Sequence, residues 1–116
     1  MKPHVRRAVA FIAAQLVSGG SPSSVYDHSE GRSYNFSGTA TTSSVDVYDY
    51  DKGCHVNGSP DSLYHAGDGT HLNLKVEGYN ITGYDGATET HFTGTVSGTN
   101  VQVYDYETGT AFDYTV

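Results

Sequence analysis

The chain has 116 residues, which is enough for one hydrophobic core and predicts a single domain over residues 1–116. Its ten tyrosines, fourteen glycines and three prolines favour strands and turns over a helical bundle or a disordered chain. The net charge is −7 and every acidic residue lies at or after Asp27. A body of that charge repels phosphate backbones, so we expect no nucleic-acid partner.

Two further features limit the class of protein. The single cysteine, Cys54, cannot form an internal disulfide, which fits a reducing compartment and a cytoplasmic protein. No apolar run approaches the roughly 20 residues of a membrane-spanning helix, so we expect a soluble protein without a membrane span.

The first twenty residues have two interpretations. The Gly19-Gly20 pair is a typical helix stop, and the pattern before it predicts an amphipathic helix over residues 1–19. The basic start and the apolar run 8–17 also resemble a signal peptide, which would make the protein secreted or periplasmic. Gln15 interrupts that run and no convincing cleavage site follows, so the helix is favoured. Its apolar residues share one helix face: Val5, Ala8, Val9, Ile12 and Leu16.

From residue 21 onward the sequence repeats itself. Residues 36–53 align without a gap on residues 92–109, with nine of eighteen positions identical. A smaller unit lies within this duplication: an apolar residue, a tyrosine, usually an aspartate, and a glycine five residues after the tyrosine. The third copy has His65 in place of the aspartate, and the fourth has Glu89 in place of the glycine. The five units begin at Tyr26, Tyr48, Tyr64, Tyr84 and Tyr104.

Each unit is predicted to form a β-hairpin with a four-residue loop. Aspartate accepts backbone N–H bonds at the loop entrance, and glycine adopts the left-handed conformation at the exit. A four-residue loop pairs the residue before each tyrosine with the residue eight after it, which separates apolar from polar side chains. A three-residue loop would mix them on both faces, so we reject it. The predicted inner face contains Val45, Val47, Phe92, Val101, Val103 and Phe112. The outer face has the tyrosines opposite Ser33, His55, His71, His91 and Ala111.

Five hairpins over residues 21–116 predict an all-β fold with one N-terminal helix, an antiparallel meander of about ten strands. One helix cannot cover the apolar face of so wide a sheet. We therefore expect the sheet to curl into a barrel or roll, with the helix docked in its mouth or across an open side. Closure would also remove exposed strand edges. Face-to-face dimerisation is the competing solution, so a monomer or a homodimer is expected.

The row of tyrosines is the candidate ligand-binding surface. Planar aromatic rings beside histidine and asparagine are typical of surfaces that bind saccharides or proteins. A purely structural role is the alternative, because tyrosine is a good strand former. The predicted binding residues are Tyr26, Tyr48, Tyr64, Tyr84, Tyr104, His55, His71 and His91.

The sequence predicts no metal site and no cofactor. The three histidines opposite tyrosines would lie two strands apart, about 9 to 10 Å, too far for one zinc ion. His65, Asp68 and His71 flank one turn and could approach one another, but their spacing matches no known ligand motif. The Asp-x-Asp-x-Gly sequence at Asp49 lacks the later carboxylate of a calcium loop and is interpreted as turn capping.

No catalytic residue is predicted. The sequence contains no Gly-x-Ser-x-Gly, no Ser-x-x-Lys and no phosphate-binding loop. Cys54 and His55 are adjacent, but neighbours on a strand point to opposite faces and cannot form a dyad. Cys54 is interpreted as a packed thiol.

The chain resembles a group of small uncharacterised bacterial proteins in which an N-terminal helix precedes Val-Tyr-Asp hairpin repeats. The resemblance covers nearly the whole chain and implies no activity, cofactor or site. It lies in the runs HVRRAVAFIAAQLVSGG, SSVDVYDYDKGCHVNG and VQVYDYETG.

These features favour a non-enzymatic protein that presents a Tyr/His/Asn-rich sheet face to a protein or a saccharide. One alternative is a structural or assembly protein that oligomerises through sheet faces or edges. Another is a small enzyme or an apolar-ligand carrier that uses the barrel interior, since valine and phenylalanine there suit an apolar ligand.

Overall fold

The computed structural model describes all 116 residues and contains one helix and ten strands. The strands form a closed antiparallel barrel in which each pairs with its neighbours in sequence and β1 pairs with β10. The predicted all-β meander and its closure into a barrel are therefore confirmed. The elements are α1 (Pro3–Ser18), β1 (Ser24–Asp27), β2 (Arg32–Ala40), β3 (Val45–Asp49), β4 (Cys54–Ser59), β5 (Ser62–His65), β6 (Thr70–Glu77), β7 (Asn80–Asp85), β8 (Thr90–Ser97), β9 (Asn100–Asp105) and β10 (Thr110–Thr115).

Strand pairing confirms the four-residue hairpin loop. Val47 pairs with Val56 and Val103 pairs with Phe112, as that loop length requires. The residue that closes each loop has a positive φ, including 57° at Glu89, where the sequence departs from glycine. The loop geometry is thus kept in all five hairpins, even where a side chain must adopt the left-handed conformation.

The helix lies inside the barrel, which refines the expectation that it docks in the mouth or across an open side. All residues from Val5 to Gln15 are buried, and α1 contacts strands all around the barrel wall. The helix is therefore enclosed on every side, and its expected polar face is buried as well. The helix fits inside the barrel because four of its buried residues are small and reduce its diameter; these are Ala8, Ala10, Ala13 and Ala14. At 16 residues, α1 is not long and apolar enough to cross a lipid bilayer, and it is the only helix.

Helix and barrel share one apolar core. Inward side chains from the strands and the helix form a cluster of 25 buried residues. The ring of Phe11 stacks on that of Phe36, with centroids 5.0 Å apart. Of the six side chains predicted to point inward, five are buried, and Phe112 is half-buried beneath the Arg6 guanidinium. The predicted inner face is confirmed.

A ring of carboxylates surrounds the helix at the end of the barrel where α1 begins. We call Asp27, Asp49, Asp85 and Asp105 the carboxylate ring; each is at most 1% exposed. One oxygen of each accepts a backbone N–H from its own loop, for example Asp27 Oδ1 from Ser29 N at 3.0 Å. The predicted turn capping is therefore present. The sequence did not predict that the same carboxylates also face the helix.

Two buried arginines of α1 meet this ring. Arg6 Nη1 lies 3.1 Å from Asp105 Oδ2, and Arg7 Nη1 lies 3.4 Å from Asp27 Oδ2. The Arg7 guanidinium also lies over the Tyr34 ring, 3.6 Å from its centroid. These pairs place the start of the helix beside the hairpin loops.

The other end of α1 is held by Gln15. Its side-chain nitrogen donates to the Gly38 carbonyl at 3.1 Å, and its oxygen accepts from the Ala40 N–H at 2.9 Å. The polar groups near both ends of the helix thus bond the barrel wall, which fixes the position of the helix along the barrel axis.

Replacing Arg7 with methionine should lower the free energy of unfolding by about 3 kcal/mol or more, because buried Asp27 loses its charge partner. The matched control is Arg32→Met, which removes a 62% exposed side chain 3.8 Å from Asp51 and should cost under about 1 kcal/mol. Urea unfolding of both variants measures the difference. Equal losses would mean that the Arg7 pair does not stabilise the helix in the barrel.

Alkaline pH should destabilise the protein through Tyr114. Burial raises the pKa of this hydroxyl from 10.0 to about 12, against the opposing effect of Arg6, whose Nε donates to it at 3.3 Å. Because the folded state binds this proton more tightly, its contribution is fully present below pH 10 and is lost as pH rises from 10 to 12. The loss should reach about 3 kcal/mol.

Tyr114→Phe isolates this effect, because the other titrating groups remain. Urea unfolding at pH 9 and pH 12 should show a smaller loss in the variant than in the native chain. An identical pH dependence in both would exclude Tyr114 as the cause.

Candidate functional site

The outer wall of the barrel presents the tyrosines at their predicted positions. Tyr48 pairs with His55, Tyr64 with His71 and Tyr84 with His91 across their hairpins. The ring centroids in these pairs are 4.8–5.0 Å apart. We call the following eight residues the Tyr/His stripe: Tyr26, Tyr48, Tyr64, Tyr84, Tyr104, His55, His71 and His91.

Each tyrosine of the stripe is partly packed and partly exposed. The Tyr64 hydroxyl lies 3.5 Å from the point where a Cβ on Gly69 would sit, so its ring leans over its own loop. Three other stripe tyrosines approach their loop glycines in the same way. Tyr26, Tyr64 and Tyr104 nevertheless remain 36–39% exposed. The rings therefore cover the hairpin loops and still present a face to solvent.

Two exposed tyrosines that pack against the stripe were not in the set predicted from the sequence. Tyr50 and Tyr106 follow Tyr48 and Tyr104 by two residues and are 58% and 57% exposed. Each packs edge-on against the preceding stripe tyrosine, with centroids 4.9 and 4.7 Å apart. The signal that could have revealed them is the Tyr-Asp-Tyr triplet, which occurs in both halves of the duplication.

A concave groove lies beside Tyr106. It has a volume of about 560 Å³ and crosses the outer face of β7 and β8. The loop after β9 leans over β8, because the Tyr106 N–H donates to the His91 carbonyl at 3.3 Å. This overhang forms one wall of the groove. The polar and aromatic side chains that line it are Thr82, Glu89, Thr90, His91, Thr93 and Tyr106.

A second groove lies at the equivalent position beside Tyr50, and it is smaller and more charged than the first. It has a volume of about 180 Å³ and includes Arg32 and Asp51. Tyr50 bonds the strand as Tyr106 does, with its N–H on the Asn35 carbonyl at 3.1 Å. Its hydroxyl also accepts a hydrogen bond from Ser37 at 3.2 Å. The two tyrosines therefore differ in the space and the chemistry beside them.

A second group of polar side chains lies at the barrel end where α1 begins. One donor atom from each of His4, His65 and Asp68 lies within 4.8 Å of the other two. The spacing in the sequence suggested His71 as the neighbour of His65 and Asp68, but His71 lies outside against Tyr64. We call His4, His65 and Asp68 the His/Asp cluster.

Charge and burial set the protonation states in this cluster. Burial, followed by the nearby charge of His4, lowers the pKa of His65, so its imidazole stays neutral. Burial acts to raise the pKa of Asp68, but the hydrogen bond from His4 and the charges of His4 and Lys2 outweigh it. The pKa of Asp68 therefore lies below its ordinary value, and the carboxylate is ionised.

Cys54 lies next to the cluster. Its Sγ is 3.8 Å from His65 Nδ1, while His55 points outward. The expected separation of Cys54 from His55 is therefore confirmed, but a different histidine is adjacent. Burial raises the pKa of the Cys54 thiol, so it is protonated at neutral pH.

No protein-family model, no curated protein and no solved structure matches the chain.

Proposed function

We propose that the protein is a non-enzymatic binding protein that holds a saccharide in the groove beside Tyr106. The main observation is the chemistry of the lining, which combines an exposed aromatic ring with hydroxyl, imidazole and carboxylate groups. A volume of about 560 Å³ falls within the range of small-molecule sites. Tyr106 offers a broad face to the apolar side of a sugar ring at low entropic cost.

The polar groups are suited to sugar hydroxyls. The hydroxyls of Thr82 and Thr93 can donate and accept hydrogen bonds, and the Glu89 carboxylate accepts two or more. The His91 ring, held edge-on by Tyr84, offers one donor and one acceptor when neutral. Such a mixture fits a neutral polyhydroxylated ligand better than a charged one.

The Tyr/His stripe favours an extended saccharide over a single sugar. Equivalent positions in neighbouring hairpins are about 9 to 10 Å apart at normal strand spacing. A ligand that leaves the groove along the wall would therefore meet further tyrosine rings at regular intervals. The exposed asparagines Asn57 and Asn73 lie between them and add amide donors and acceptors.

A protein partner is the second candidate. Tyr50 and Tyr106 are more than half exposed, and tyrosine is enriched at the energetic centres of protein interfaces. An assembly protein and an apolar-ligand carrier have less support. The closed barrel offers no unpaired strand edge for assembly, and α1 with the apolar core occupies the interior that a carrier would need.

Glycan-array binding followed by calorimetry on the best ligand tests the proposal. Tyr106→Ala and His91→Ala should each weaken binding at least about tenfold, equivalent to about 1.4 kcal/mol. The control is Tyr79→Ala, which removes a 74% exposed ring from the turn between β6 and β7, at the other end of the barrel. It should leave the affinity unchanged.

The outcomes separate the two candidates. An empty glycan array, or a Tyr106→Ala variant that binds as well as the native chain, would contradict the saccharide proposal. An empty array together with a protein partner whose capture depends on Tyr106 would favour the second candidate.

A further inference from the structure

The His/Asp cluster is assembled from three separate elements. His4 lies in the first turn of α1, His65 ends β5, and Asp68 lies in the loop that follows. The rings of His4 and His65 meet edge-on with centroids 5.1 Å apart, and His4 Nε2 is hydrogen-bonded to Asp68 Oδ2. This is the only group of three or more His, Cys, Asp or Glu side chains whose donor atoms converge so closely.

His65 has an unmet bonding requirement. Its side chain is 0% exposed, and its Nε2 is buried without a hydrogen-bond partner. A buried polar atom left unpaired costs roughly 1–3 kcal/mol, so such atoms are rare without a functional reason. His65 is also one of the three side chains whose donor atoms converge. Its unpartnered Nε2 therefore points to a missing ligand at this place.

The aspartate of the repeat is replaced only in this hairpin. His65 occupies the position that an aspartate of the carboxylate ring occupies in the four other hairpins. Gly67, in the same loop, lies so close that a Cβ on it would be 2.9 Å from Cys54 Sγ and 3.2 Å from His65 Cε1. The bare backbone lets this loop fold tightly over the thiol and the imidazole.

We propose that His4, His65 and Asp68 bind a zinc ion, with His65 binding through its unpartnered Nε2. Two imidazoles and a carboxylate form a donor set for zinc, whereas calcium and magnesium select oxygen ligands. Three protein donors leave the fourth position of a tetrahedral zinc ion to water. The ion would join the start of α1 to the β5–β6 hairpin, independently of the groove on the outer wall.

The distances are close to those of a tetrahedral site. Nitrogen and oxygen donors around a tetrahedral zinc ion lie about 3.3 Å apart, given bonds of about 2.0–2.2 Å. The observed separations of up to 4.8 Å among the three donors require them to move inward by on the order of 1 Å. Asp68 lies in a loop and His4 in a terminal helix turn, so both have room to move.

The surrounding charges favour a cation. Asp49, whose Oδ2 is buried without a partner, and Asp68 both act electrostatically to stabilise positive charge at His65. Lys2 opposes them, since its Nζ lies 3.6 Å from Asp68 Oδ1. Its side chain is 56% exposed, however, and can turn into solvent when a metal neutralises the carboxylate.

Zinc calorimetry on the untagged 116-residue chain, stripped of metal with a chelator, tests the site. We expect one ion per chain with a Kd in the micromolar range or tighter, and a Tm that rises with zinc concentration. His4→Ala and Asp68→Asn should each weaken binding about 100-fold or more, because loss of even an outer-shell partner costs 10–100-fold. Neither side chain belongs to the apolar core, so both variants should fold.

The matched control is His71→Ala, which removes an exposed histidine from the same hairpin and should leave the zinc Kd unchanged. Absence of saturable binding by the folded native chain would overturn the proposal. So would His4→Ala and Asp68→Asn variants that bind zinc as tightly as the native chain.

Cobalt substitution tests the donor set. The Co²⁺ complex should show no thiolate-to-cobalt charge-transfer absorption, because Cys54 Sγ faces Nδ1 of His65 and not the unpartnered Nε2. Charge-transfer absorption that disappears in Cys54→Ser would overturn this donor set.

Discussion

A helix enclosed by a closed barrel has no side that faces water, so each of its polar groups must find a partner in the barrel wall. Arg6 and Arg7 bond Asp105 and Asp27, although Arg7 Nε is left without a hydrogen-bond partner, and Gln15 bonds the backbone of β2. Inward-pointing aspartates also set the register of every hairpin that contains one. Because strand neighbours alternate, the residue before each aspartate must point outward, and that residue is the stripe tyrosine.

The hairpins and their closure could be predicted from sequence because their signals are local. Aspartate and glycine define the loop, the loop defines the pairing, and the pairing puts Val47 inside and Tyr48 outside. The position of the helix could not be predicted in the same way. Arg6 and Gln15 interrupt the apolar pattern as solvent-facing residues would, and only the finished barrel supplies their partners.

The candidate sites also differ in whether local sequence patterns could predict them. The Tyr/His stripe follows from the hairpin register and was predicted residue by residue. The groove depends on how the loop containing Tyr106 leans over β8, which no local pattern describes. His65 and Asp68 were grouped from their spacing, but His4 joins them only because α1 begins beside that loop. Contacts between distant segments are therefore what the sequence alone could not predict.

Native-state hydrogen exchange of the α1 amides tests the enclosed helix most directly. If the barrel must open to release the helix, amides from Val9 to Ala14 exchange only through global unfolding, with the same free energy as the most protected amides of β8 and β9. Exchange of the helix at a free energy several kcal/mol below that of the strands would show that α1 leaves an intact barrel, and would contradict this account.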